Sequence, residues 1–140
     1  MTEITISALT AADVNAVNKV GREAYGVEPS QAGLAEAIRG DGFSRTLVAR
    51  APDAEVLGFV MWETFGADNA YVGNLSVSPQ FHNRKIGRRL MERAFARMVE
   101  EGYRTASLNV SSTNESALAL YSALGFKQHG SYSGCMVKPL

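Results

Sequence analysis

The sequence predicts one α/β domain over residues 1–140, with a mixed, mostly antiparallel central sheet and helices on both faces. Three observations carry that expectation. The chain is long enough for one domain with a core, and 46% of its residues are hydrophobic, as in a globular protein. Period-two and helical patterns follow one another in the order β-α-α-β-β-β-α-β-α-β-β, without repeats or linkers. One strand, EVLGFVMWETF, is apolar on both faces, so material packs on each side of it.

In EITISAL, Ile4 and Ile6 alternate with polar neighbours, as in a half-buried strand. Thr10 and Asp13 have the spacing of a capping box, and Val14, Val17 and Val20 recur at helical spacing to about Tyr25. Gly26 and Pro29 end that helix. Ser30 can cap a second one, bearing Leu34, Ala35 and Ile38, which Gly40 stops. RTLVAR and EVLGFVMWETF flank the turn-rich APDA and predict a hairpin. Alternation puts Val56, Val60 and Trp62 on one face of its second strand and Leu57, Phe59 and Met61 on the other. AYVGNLSVS is the next strand, and Pro79 ends it because proline cannot donate to a ladder. Ile86, Leu90, Ala94, Phe95 and Met98 form the stripe of a long helix closed by Gly102. TASLNV alternates as a strand. Asn114 caps a last helix with Ala117, Leu120, Tyr121 and Leu124 inward and Gly125 as its stop. FKQHG and YSGCMVK close the chain as two short strands.

The formal net charge is +0, which argues against nucleic acid or an anionic membrane as partner. A single cysteine, Cys135, excludes an internal disulfide framework and a cysteine-rich zinc site. No His, Asp or Glu pair has ligand spacing, so no metal is expected, and His82 and His129 read as isolated loop and strand residues. No apolar run approaches the roughly 20 residues of a membrane span. Met1–Leu9 carries Glu3 where a signal peptide would be basic. The expected setting is the cytoplasm; a homodimer is left open.

Against that neutral background, Arg84, Lys85, Arg88 and Arg89 crowd around Gly87 in VSPQFHNRKIGRRLMERAF. Strand, short polar loop (Ser78 to Lys85) and helix (from about Ile86) is the geometry in which free N–H groups and the helix dipole converge on one point. That point binds anions, phosphate above all. Helix starts normally favour acidic residues, so four bases there point to an absent anion; a solvated, amphipathic helix start is the other reading. Further on, Asn114 and Tyr121 stand seven residues apart, on one face of one helix. Taken singly, they read as a helix cap and a core-edge aromatic.

Together the two stretches resemble the GCN5-related N-acetyltransferase (GNAT) family. Its (Gln/Arg)-x-x-Gly-x-(Gly/Ala) pattern falls on His82-Asn83-Arg84-Lys85-Ile86-Gly87, with His82 and Lys85 as departures. Its N-x-x-A-x-x-x-Y-x-x-x-G-F pattern falls on Asn114, Ala117, Tyr121, Gly125 and Phe126 without a mismatch, and the element order matches across the chain. The resemblance implies acetyl-CoA as co-substrate, an amine as acceptor, and acetyl transfer by direct attack on the thioester. It implies a pyrophosphate loop from His82 through Asn83, Arg84, Lys85, Ile86 and Gly87 to Arg88. Leu75, Ser76 and Val77 would hold the pantetheine arm, Asn114 would touch it, and Tyr121 would be the general acid. The branch that acetylates the N-terminal alanine of a ribosomal protein has a strand glutamate where this chain has Asn109. Glu63 is the local substitute as base, ordered water being the alternative, and a solvated strand-end carboxylate is its plain reading. Two other functions compete: a non-catalytic acyl-CoA-binding or sensor module of the same fold, and a nucleic-acid domain using the Arg84–Arg89 patch, which lacks interleaved aromatics.

Overall fold

The computed structural model describes residues 3–82, 84–129 and 134–140. Among them the chain runs β1 (Thr5–Ala8), α1 (Val14–Tyr25), α2 (Gln31–Arg39), β2 (Ser44–Arg50), β3 (Val56–Thr64), β4 (Asn69–Val77), α3 (Ile86–Glu100), β5 (Thr105–Asn109), α4 (Glu115–Ala123), β6 (Lys127–Gln128) and β7 (Cys135–Pro139). Single 3-10 turns precede α1 (Ala11–Asp13) and follow β4 (Pro79–Phe81). This is the predicted order. Tyr132 and Ser133 of the last predicted strand lie outside the described residues.

The strands form one sheet in the order β1-β2-β3-β4-β5-β7-β6, antiparallel throughout except between β4 and β5. Two apolar layers cover it. Val17, Val20 and Leu34 from α1 and α2 pack with Val48, Phe59 and Met61. Ile86, Leu90, Ala94 and Met98 from α3, with Tyr121 from α4, pack with Val60, Trp62, Val72 and Leu108 on the opposite face. Phe59 and Val60 are both 0% exposed, which makes β3 the central strand between two layers. Among the described residues no helix is long and apolar enough to cross a membrane.

One expected face assignment is corrected. Pairing steps from Ala49↔Gly58 to Arg50↔Val56, so Leu57 is an extra residue in β3. The bulge reverses the alternation before it: Leu57 joins Val60 and Trp62, while Val56 packs with Phe59 and Met61.

The Thr10–Asp13 pair does more than cap a helix. Thr10 donates to Asp13 Oδ2 from its backbone N (2.8 Å) and its hydroxyl (2.9 Å). Arg50 of β2 grips the same carboxylate through Nη1 and, at 2.6 Å, through Nη2. The Arg50 hydrogen bonds outweigh the cost of burial and bring the Asp13 carboxyl from 3.8 down to about 2. The entry to α1 is thereby clamped to the end of β2.

A second bulge shapes the functional end. Between β3 and β4 the pairing steps from Met61↔Asn74 to Trp62↔Val72, leaving Gly73 unpaired. The parallel register of β4 with β5 runs from Asn69↔Thr105 to Val72↔Leu108 and ends there. From Asn74 to Val77, β4 stays on β3 but has lost its other neighbour.

Candidate active site

A strand that loses one neighbour presents free N–H and C=O groups along that edge. Ser78 N donates to Leu57 O at 2.8 Å, so alternation turns the backbone of Ser76 towards β3 as well. Leu75 and Val77 therefore direct their backbone groups into the gap between β4 and β5. His82 Nε2 stands 3.2 Å from Val77 O, on that open edge.

The gap is one cleft with two lobes. The larger, about 610 Å³, lies between the β4 edge and loop (Leu75, Val77, His82, Lys85) and α4 (Leu120, Tyr121). The smaller, about 460 Å³, runs along Gly73, Asn74, Leu108, Asn109 and Ser111. Tyr25, Leu75, Asn114 and Tyr121 line both and join them.

Lys85 caps α3 in the left-handed region, at φ 59 and ψ 23, a conformation in which glycine is unstrained and other residues rarely sit. The lysine thus adopts the turn that the family's glycine would supply. It leads into Ile86, Gly87 and Arg88, which line the larger lobe and whose amides have no partner within the helix. A β-carbon on Gly87 would meet Leu75 and Leu120 at 3.7 Å, so its backbone forms the floor between strand and α4. The four bases do not stay together. Arg89 donates to Ile4 O at 3.0 Å, towards β1 and away from the cleft. Arg84 stacks over Phe81 at 5.8 Å, and Arg88 lies 3.8 Å from Glu92. Arg84, Lys85 and Arg88 remain exposed at the loop; Asn83 lies outside the described residues.

Asn114 Oδ1 accepts from Ala117 N (3.2 Å), which confirms the cap and leaves the side-chain amide free to donate into the cleft. Tyr121 is 8% exposed and packs edge-on against Phe126, with ring centres 5.8 Å apart. Burial first, and the neighbouring Tyr25 phenol second, push its hydroxyl up to about 12.

Two expected residues stand elsewhere. Ser76 is 1% exposed and donates to Asn74 Oδ1 at 2.6 Å, so it braces the strand and does not line the cleft. Glu63 is exposed beside a separate hollow of about 120 Å³ with Ser30, Ser44 and Met61, bounded by Gly73 and Asn74. Asn109 does line the smaller lobe, donating from Nδ2 to Tyr71 Oη at 3.1 Å. Gly73 escaped the sequence reading, although a lone glycine inside a strand pattern is a bulge signal.

A bulged strand thus parts from its parallel neighbour beside an anion-ready helix start. A profile described as "Acetyltransferase (GNAT) family" matches residues 14–126, and the chain belongs to that family. A [Ribosomal protein bS18]-alanine N-acetyltransferase of Salmonella typhimurium is 38% identical over 61 residues. That match covers 44% of this chain and 41% of the relative, less than half of each. The fold is shared more widely. The PaiA N-acetyltransferase of Thermoplasma acidophilum, solved in complex with coenzyme A, superposes with a TM-score of 0.82 over 99% of each chain at 23% identity. A GCN5-related N-acetyltransferase from Kribbella flavida does so with a TM-score of 0.81 over 98% of each chain at 25% identity.

Proposed function

We propose that the chain transfers an acetyl group from acetyl-CoA to a primary amine, of a protein N-terminus or a small molecule, by direct attack of the amine on the thioester. The observation that carries this reading is the free edge of β4 at Leu75 and Val77, opening beside the left-handed turn at Lys85. An extended pantetheine arm, with its two amides, can complete a ladder along that edge much as β5 does before Val72. Its pyrophosphate then meets the α3 amides and the charges of Arg84, Lys85 and Arg88. His82 and Asn114 border the arm on either side, and Ser76 acts from beneath by holding the strand.

In the transfer, the amine lone pair attacks the carbonyl carbon, the C–S bond breaks and the sulfur leaves with its electron pair. A backbone N–H of the β4 edge is the donor at hand for the carbonyl oxygen as charge gathers there. Tyr121 donates to the sulfur. A phenol pushed up to about 12 stays protonated near neutral pH and holds its proton more tightly than a thiol of pKa roughly 8.5. Its contribution is therefore hydrogen bonding to the developing thiolate, with the proton released by the nitrogen restoring the balance. Glu63 lines neither lobe, so ordered water serves as the proton acceptor in this reading. It sets the enzyme in the cytoplasm, in keeping with relatives named for a ribosomal-protein target.

The test is calorimetry with acetyl-CoA, coenzyme A and a phosphate-free pantetheine thioester, followed by thiol release with an amine panel. Reversing charge at Arg84 and Lys85 should weaken coenzyme A at least tenfold and the phosphate-free analogue little. No heat and no melting shift with millimolar acetyl-CoA would defeat the proposal.

A further inference from the structure

The hollow of about 120 Å³ beside the cleft has no part in the transfer as described so far. Ser30, Ser44 and Glu63 bring its polar side chains, and it shares Gly73 and Asn74 with the smaller lobe. The ladder decides which way these residues face. Ser44 pairs with Glu63 and Thr46 with Met61 without a shift, so Ser44 and Glu63 stand side by side on the face that carries Met61. That face packs on α2, where a β-carbon on Gly33 would meet Met61 Cε at 3.1 Å.

Two polar groups at this place lack partners. Ser44 is 7% exposed, yet its hydroxyl makes no hydrogen bond among the described residues; its backbone N donates to Glu36 Oε1 at 3.2 Å. A buried hydroxyl that no protein group satisfies points to a partner from outside. Glu63, next to it, forms no ion pair among the described residues. The neighbouring base, Arg45, pairs with Trp62 and so belongs to the opposite face. There it donates to Gly42 O and Ser44 O and pairs with Glu101. Ser30 Oγ accepts from Gly33 N at 3.0 Å and keeps a second lone pair. The hollow thus offers acceptors and an uncompensated negative charge. Among the described residues, no charged side chain lines the smaller lobe itself.

We infer that Glu63, with the Ser44 hydroxyl, holds a second cation of the acceptor while the reacting amine lies in the smaller lobe, so that the site takes aliphatic diamines in preference to monoamines. This rests on the acetyl-transfer reading above and names the class of acceptor. An ammonium is a compact cation with three donors and no acceptor, which matches a carboxylate flanked by hydroxyl oxygens. Its stem crosses the shared wall at Gly73, where the absence of a side chain leaves room. The bonds made and broken in the transfer are unchanged, and Glu63 acts on which amine is held, not on its proton.

The experiment measures kcat/KM by thiol release for putrescine, n-butylamine and γ-aminobutyrate, acceptors of like length whose tails are cationic, neutral and anionic. In the wild-type protein putrescine should lead and γ-aminobutyrate should trail. Glu63→Gln should cut the putrescine-to-butylamine ratio by about fivefold, the scale of an ion pair open to solvent, and added salt should narrow the wild-type ratio. Glu63→Lys should put γ-aminobutyrate ahead of putrescine, a reversal that a purely structural role does not produce. Comparing ratios between variants cancels the acceptors' own basicities and the two reactive ends of putrescine. A ratio that Glu63→Gln leaves unchanged, even with all three rates lowered together as loss of a base would lower them, overturns the inference alone. Thiol release with peptide amines and none with putrescine does the same. Failure to bind acetyl-CoA, or binding without thiol release on any amine, overturns the transfer reading and this inference with it.

Discussion

Replacing Tyr121 by Phe separates its two roles, because the ring belongs to the core and the hydroxyl to the cleft. The ring is buried among the residues that α3 and α4 press onto the sheet, and it meets Phe126 edge-on. Phe retains that packing, so stability should move by less than about 1 kcal/mol, the scale of one hydroxyl with no structural partner. The hydroxyl joins the two lobes, where the thioester sulfur must lie if the arm follows the β4 edge past Asn114. A donor that strengthens only as charge builds on sulfur acts on kcat and leaves affinity alone. Its loss should lower kcat by about 10²-fold, close to 2.7 kcal/mol of transition-state stabilisation. Because burial and Tyr25 hold the proton on Tyr121 up to about pH 12, the wild-type rate should show no alkaline decline below pH 10. The assay is single-turnover thiol release from bound acetyl-CoA with saturating amine, beside calorimetry and thermal melting of both proteins. Wild-type kcat in the Phe variant, with chemistry limiting, would remove the hydroxyl from the mechanism; a large loss of stability would show that its role is structural.

At Lys85 the left-handed backbone strains any residue with a β-carbon, so Lys85→Gly should be more stable than Lys85→Ala by about 1 kcal/mol in denaturant titration, since both lose the same charge. Asp13→Asn should cost about 2 kcal/mol at pH 7, the worth of a carboxyl held at about 2 against 3.8. Between those two values the unfolded chain binds the proton that the folded chain refuses. Wild-type stability is therefore lost as pH falls from about 4 to 2, and the Asn variant should lack that loss when melting is followed across the range. Gly58→Ala would set a β-carbon 2.7 Å from Ser76 O, forcing β3 and β4 apart. Unfolding should show a cost of 1–3 kcal/mol, order-of-magnitude for overpacking, and acetyl-CoA should bind more weakly because the displaced segment is the binding edge.

Element order, helix stops and caps were legible because each has a local cause. Ser30 accepts from Gly33 N at 3.0 Å as its position foretold, and Asn114 caps α4. What local pattern could not carry was register. The extra residue at Leu57 exchanges it with Val56 between core layers, a swap no reading of strict alternation reaches. The dispersal of the bases is likewise a tertiary fact: only folding brings Ile4 O to Arg89. Glu63 is exposed near the end of β3 and lines a hollow that shares Gly73 and Asn74 with the cleft, a juxtaposition set by β4 and not by its own strand.

The two bulges also explain why the site lies where it does. Bulges tighten local twist and end regular pairing, and the two fall on either side of the central strand, one between β2 and β3 and the other between β3 and β4. Gly73 releases β4 from β5, while Ser76 anchors the released stretch through Asn74 and the close approach of Gly58 holds it to β3. The cleft thus has one wall fixed by the core and another formed by β5 and α4, whose closing residue is Tyr121. A ligand laid along the fixed edge is oriented before it meets that hydroxyl. Holding the reactants in line is the contribution such an edge can make, since entropy lost on binding substitutes for part of the barrier.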